Sequence, residues 1–292
     1  MKKFIKLIAL TLCIFMLLSM ALSCTSVSDD EDGEGSEDDK ESSKEEKDFE
    51  KLSEKEKALY ILTKEESTEN GRIDTAMNFE CEYYGKKITV EITQSYTVIQ
   101  RDGKYEEHSE MRIATAAKGM STVVLMTQGY RDGKMYVRMV TDGVVGQSEV
   151  TKMTQEEYQK QLEERLEGTP ESFGINEDTC ESFSCEQNKN GDWVASFRDL
   201  DKDGLSYFET LAQGYFGSLL MNDIKDVTMV LTATEEFLPK TIEIEYEFFG
   251  TDKPTFNIFA EYDLSEEIEL PEIDWSLYED QNQVPTPPSS NV

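Results

Sequence analysis

Histidine is almost missing from this sequence: His108 is the single one in 292 residues. A histidine relay for nucleophilic catalysis, or a metal site built from several imidazoles, has no raw material here. His108 stands in a strand-like run beside Glu106 and Glu107 and reads as a surface side chain. Basic residues are scarce too, 29 against 61 acidic, giving a net charge of −32. Phosphate backbones are held by clustered Lys and Arg, so a nucleic-acid partner is excluded. The same sign disfavours flat docking on anionic lipid. Gly-x-Ser-x-Gly, phosphate-loop and dinucleotide motifs are absent, so no cofactor is expected. Carboxylates abound, yet no two are marked out as a catalytic pair, and the chain reads as a non-enzyme.

Long apolar runs are lacking as well. The N-terminal run, residues 7–22, falls short of the roughly 20 residues that a helix needs to cross a bilayer. Lys2, Lys3 and Lys6 precede it and a small residue, Ser23, follows it, which are the parts of a secretory signal peptide over residues 1–23. Ala21-Leu22-Ser23-Cys24 resembles the lipobox of bacterial lipoproteins, although Ala21 and Leu22 stand where the common pattern has leucine and then a small residue. The resemblance implies a diacylglyceryl group on Cys24 and a place on the extracytoplasmic face of the cell membrane. Two acyl chains, at about 0.8 kcal/mol per buried CH₂, anchor where one would not.

Residues 24–50 form the next segment, in which thirteen carboxylates face three lysines between positions 25 and 50. Such a stretch cannot bury enough apolar area to offset chain entropy, so it is expected to be a disordered acidic tether. At roughly 3.3–3.6 Å per residue it reaches about 90 Å when fully extended. Residues 281–292 carry Pro285, Pro287 and Pro288 and no charged side chain, and read as a loose tail. Between the two lies one β-rich domain, residues 51–280.

That domain opens with an amphipathic helix over residues 50–66, carrying Leu52, Ala58, Leu59, Ile61 and Leu62. Period-two alternation follows, as in Met77, Phe79, Cys81 and then Ile88, Val90, Ile92, and marks strands with one buried face. Arg101-Asp102-Gly103-Lys104 and Arg131-Asp132-Gly133-Lys134 repeat one hairpin signal, so residues 73–152 predict a meander of about six long antiparallel strands. Long consecutive strands twist and curl. Thr154-Gln155-Glu156-Glu157 matches a capping box that starts a helix. A hairpin around Asn188-Lys189-Asn190-Gly191 comes next, then a stripe-faced helix over residues 204–221, then strands at 227–233, 240–248 and 256–262. Residues 268–278 read as an irregular cover across the sheet. The class is α+β, with no βαβ alternation.

Two candidate sites are weighed and set aside. Asp199-Leu200-Asp201-Lys202-Asp203-Gly204 opens like a calcium loop, but position twelve is Thr210 where a bidentate glutamate is required. Capping of the following helix by an aspartate accounts for the same residues, and no metal site is expected. Cys81, Cys180 and Cys185 lie outside the leader; three thiols cannot all pair within one chain. On one strand Cys180 and Cys185 would be about 16 Å apart, beyond bridging distance. A disulfide from Cys81 to either, and three free thiols, both remain open.

The whole plan resembles the half-barrel family of LolA and LppX, whose architecture the sensing domain of RseB shares. The segments that carry the likeness are Asp132-Gly133-Lys134-Met135-Tyr136-Val137 and Glu236-Phe237-Leu238-Pro239-Lys240-Thr241-Ile242-Glu243-Ile244. The resemblance implies a strongly curved antiparallel sheet with helices packed in or across its concave face, and a hollow that accepts a lipid, an acyl chain or another hydrophobic ligand. Candidate lining residues are Met135, Val137 and Met139 on one face of a strand and Leu211, Tyr215 and Leu219 on one face of a helix. Should those faces oppose each other across a gap, they line a cavity; should they touch, they are core. Flexible thioethers suit varied apolar shapes in either case. The first functional reading is thus a membrane-anchored extracytoplasmic lipoprotein that binds or carries a lipid. The alternative is an interaction or sensor module of the cell envelope with a filled core and a protein partner.

Overall fold

The computed structural model describes residues 49–64, 70–101, 103–167, 171–217, 223–250, 253–265 and 268–279. The leader, Cys24, most of the acidic tether, Leu219 and the Pro-rich tail lie outside them. Eleven strands form one antiparallel sheet: β1 (Gly71–Glu82), β2 (Lys87–Arg101), β3 (Lys104–Ala117), β4 (Met120–Arg131), β5 (Lys134–Thr141), β6 (Val144–Lys152), β7 (Cys180–Gln187), β8 (Trp193–Leu200), β9 (Ile224–Ala233), β10 (Pro239–Phe248) and β11 (Thr255–Asp263). Their spatial order, β6-β5-β4-β3-β2-β1-β11-β10-β9-β8-β7, is two meanders joined where β1 pairs with β11. The sheet is open, with β6 and β7 at its edges.

The period-two pattern decides which face is buried. Ile73, Met77 and Phe79 of β1 lie opposite Tyr96, Ile92 and Val90 of β2 on one side and Tyr262, Ile258 and Phe256 of β11 on the other. All nine side chains are buried on a single face, because side chains two apart share a face and the register is in phase. The hairpins keep that phase. Asp132 and Gly133 adopt φ of 51° and 70° between β4 and β5, and Tyr84 and Gly85 adopt 51° and 69° between β1 and β2. Both are two-residue turns whose twist matches the strands they join.

Helices cover this core face. α1 (Glu54–Thr63) starts at Ser53, whose hydroxyl accepts from the Glu56 amide while the Glu56 carboxylate accepts from the Ser53 amide. This capping box is why the helix is shorter than the expected 50–66; residues 49–51 form a separate 3-10 turn. α1 buries Ala58, Ile61 and Leu62 against β7 and β8. α2 (Gln155–Glu167) has the expected reciprocal cap between Thr154 and Glu157. It stacks Tyr158 on Tyr130 of β4 at 4.1 Å and 4°. α3 (Lys202–Phe216) begins two residues ahead of the expected start, because Asp201 caps it by accepting from the Gly204 amide at 2.8 Å. The aspartate-rich segment is therefore a helix cap.

α3 supplies most of the packing. Phe208, Leu211 and Ala212 have no exposed area. Phe216 stacks on Phe79 at 4.0 Å and meets Phe256 edge-on at 4.8 Å, geometries that add to the area term. The stripe ends at Gly217, whose φ is 46°. A second, smaller cluster of Tyr96, Val98, Tyr130, Tyr158 and Leu162 lies under α2. Replacing Phe216 by alanine is expected to cost about 3–5 kcal/mol, and Thr154→Ala about 1 kcal/mol. Urea unfolding followed by far-ultraviolet circular dichroism measures both; equal effects would contradict the central place given to α3.

Candidate functional site

The described ligand candidates of the sequence fall on the core side and are divided between its two clusters. Met139 and Tyr215 pack at the margin of the principal core and Leu211 lies within it, whereas Met135 packs against the second cluster. Val137 is half-buried between the two methionines on the same strand face. The ring contacts of α3 run to β1, β10 and β11. Met135 and Leu211 thus pack in different clusters of the core side. A hollow of about 20 Å³, beside Ile61, Leu62 and Phe237, lies under the end of α1.

A much larger hollow, about 550 Å³, opens on the opposite, outer face. Most of its lining residues are outward residues of five adjacent strands, and the register sorts these into two rows across the sheet. Glu261, Asp74, Ser95, Glu110 and Thr127 are successive cross-strand neighbours from β11 to β4. Two positions along each strand, Phe259, Ala76, Thr93, Arg112 and Leu125 form the parallel row. The first row is wholly polar; the second holds the apolar members. At ~4.8 Å between strands the groove is about 19 Å long. Leu125 and Phe259 are 46% and 40% exposed, large apolar side chains held in water where alternation would place polar ones. A twisted sheet is saddle-shaped, so each of its faces is concave along one diagonal.

Beside Glu110 the polar row of the groove abuts a buried polar cluster. His108 is only 8% exposed, contrary to its reading as a surface residue. The C-terminal segment covers it: Trp275 and Tyr278 lay their rings on Tyr136 at 5.6 and 5.4 Å. That segment is fixed by Ser148 Oγ donating to the Leu277 carbonyl and by Arg131 donating to the Pro271 carbonyl, both at 2.8 Å. It ends in the short helix α4 (Ser276–Glu279) against β5 and β6. His108 Nδ1 lies 2.7 Å from Tyr136 Oη and Nε2 lies 3.2 Å from the groove carboxylate Glu110. A neutral ring that accepts from the phenol and donates to Glu110 satisfies both contacts. Burial pushes the His108 pKa down, opposed by the hydrogen bond and charge of Glu110. Burial likewise raises Tyr136 far above the ordinary phenol value. Gly129, opposite Tyr136, is required here, because a methyl group in its place would overlap the Tyr136 hydroxyl and the Glu107 carbonyl.

Among the described residues no cluster of three or more His, Cys, Asp or Glu side chains is arranged to hold a metal ion. Cys81, Cys180 and Cys185 are free and buried. Burial lifts the Cys185 thiol to about 11, so it carries little thiolate at neutral pH. The groove residues were not legible as a site, because alternation assigns them only to a solvent face. Leu125 and Phe259, apolar residues at outward positions, were the available signal.

Since folding lowers the His108 pKa, the unfolded chain takes up the proton first. Stability is full above the ordinary value of 6.5 and declines as pH falls below it towards the folded-state value. Urea midpoints at pH 7.5 and 5.5 are expected to differ more for the native protein than for His108→Gln. Equal differences would show that His108 contributes nothing to the slope. Gly129→Ala is expected to cost about 1–3 kcal/mol by overpacking, read from the same midpoints at pH 7.5.

No family model matches this chain, and no curated protein does. Among solved structures it is similar to a β-barrel-like protein of the domain of unknown function DUF1849 from Brucella abortus, at 9% identity and a TM-score of 0.16, over 68% of this chain and 97% of that one. A likeness of that size assigns no family and no ligand. Among the described residues the fold is an open, eleven-stranded antiparallel sheet with one helix-covered face and one grooved face.

Proposed function

We propose that this chain is a non-enzymatic binding protein, held at the extracytoplasmic face of the membrane by a lipid on Cys24, with a sheet curled in the manner of the LolA and LppX half-barrels. The ligand is hydrophobic or amphipathic, such as an acyl chain. Its place is the outer groove rather than the helix-covered face. The observation that carries this reading is the groove of about 550 Å³ with one wholly polar row and one mixed row that holds its apolar members. Its volume is of the size that small-molecule ligands occupy, and two parallel rows of unlike polarity suit a molecule with an apolar length and a polar edge. The core under α3 is filled by Phe208, Leu211 and Phe216 and leaves such a ligand less room.

A second reading is an envelope interaction module. It is favoured by the carboxylates Asp74, Glu110 and Glu261, which outnumber the single cation Arg112 along the groove. On that reading a basic protein segment binds, and its affinity falls steeply as salt rises.

The decisive measurement is uptake of a dansyl-labelled undecanoic acid by the purified protein, alongside the Leu125→Glu/Phe259→Glu double variant. The native protein is expected to bind and the double variant to lose at least about tenfold in affinity, as when apolar contacts of ~25 cal/mol per Å² are replaced by charge. Uptake unchanged in the variant would move the site to the core face. Absence of uptake, with salt-sensitive binding of a basic peptide, would establish the second reading instead.

A further inference from the structure

The polar row of the groove is not uniform along its length. Its carboxylates at the β1 and β11 end are Asp74 and Glu261, and Asp74 is held by Arg72 at 2.9 Å. Glu110, nearer the middle, is hydrogen-bonded by His108. Towards the other end the row continues from Thr127 of β4 to its direct partner Arg138 of β5. Arg112 of β3 stands diagonally across from Thr127, opposite Leu125 in the parallel row. Two arginine positions therefore flank Thr127 on the outer face.

Arg138 lies close enough to Tyr278 of the C-terminal segment for its charge to oppose the rise that burial gives that phenol. Among the described residues Arg112 and Arg138 make no ion pair and no hydrogen bond, and Nε of Arg138 is buried without an acceptor. That is costly in a protein with 61 carboxylates available, since a desolvated cationic donor left unmade forfeits a charge-assisted bond. Directly opposite residues have Cβ atoms about 4.5–5.5 Å apart and diagonal ones about 7–8 Å, so both long side chains can reach a point above Thr127. An acceptor there would meet two guanidinium forks and a hydroxyl. The apolar row starts alongside, at Leu125, passes the methylene stem of Arg112 and ends at Ala76 and Phe259. Arginine stems provide apolar surface while their heads stay with polar partners.

We infer that Arg112, Thr127 and Arg138 form an anion subsite, and that the groove takes a single-chain amphiphile whose carboxylate or phosphate-monoester head sits there while its chain runs along Leu125, Ala76 and Phe259. This inference rests on the groove being the ligand site and adds the polarity and direction of the ligand. Carboxylate and phosphate monoester share the oxygen pair that guanidinium binds bidentately.

The test uses the purified protein and three probes: dansyl-labelled undecanoic acid, its methyl ester, and dodecyl phosphate as a competitor. The acid is expected to bind about tenfold or more tightly than the ester, the factor that a charge-assisted hydrogen bond supplies. Arg112→Gln and Arg138→Gln should each remove most of that preference, lowering acid binding by a larger factor than ester binding. Arg72→Gln, which keeps the subsite, should leave the preference intact. Stronger displacement by dodecyl phosphate than by undecanoic acid assigns the head as phosphate, and the reverse assigns carboxylate. Equal binding of acid and ester, or equal loss of both in the arginine variants, overturns the anion subsite but spares the groove. Ester binding that survives Leu125→Glu/Phe259→Glu overturns the groove itself.

Discussion

The antiparallel pairing of β1 with β11 is the constraint on which the molecule depends. Without it there would be two separate meanders, one of six strands and one of five, each with an extra exposed edge. With it, Met77 and Phe79 of the first meander lie beside Ile258 and Phe256 of the second, and α3 can lay Phe216 across the seam against both. One helix thereby packs against strands from both ends of the domain. Because side chains alternate strictly along a strand, a shift of one residue in that pairing would turn every one of these contacts to solvent.

The same register that closes the core composes the outer groove. Asp74 and Ala76 are outward only because Ile73, Thr75 and Met77 are inward, and they align with Glu261 and Phe259 only through the β1 and β11 pairing. Groove and core are thus two sides of one pattern. The C-terminal segment adds a boundary, since it occupies the outer face over β5 and β6 and buries His108 beside Glu110. The groove is left open between that cover and the β11 end of the row. Glu110, fourth of the five positions along the polar row, is held by His108, and among the described residues Arg112 and Arg138 make no ion pair at the β3 to β5 end.

Local signals in the sequence carried far where their physics is local. The Asp-Gly turn at 132–133, the reciprocal cap of Thr154 and Glu157, and the aspartate that starts α3 all involve groups within a few residues of one another. The cap of Ser53 and Glu56 is equally local and sets the true start of α1. His108 shows the limit: its neighbours Glu106 and Glu107 marked it as exposed, yet residues more than 160 positions away, Trp275 and Tyr278, close over its partner Tyr136. No short-range pattern carries that information.

The sequence alone determined the α+β class, the meanders and the face each strand residue belongs to, because alternation and turn chemistry act between near neighbours. It also set the scarcity of histidine and basic residues. Only the tertiary structure decided which strands stand side by side, and therefore that Arg112 and Arg138 flank Thr127, that Leu125 and Phe259 share one groove, and that Met135 and Leu211 lie in different clusters. The reason is that strand order and register are set by long-range burial, a property of the whole sheet that no single segment contains.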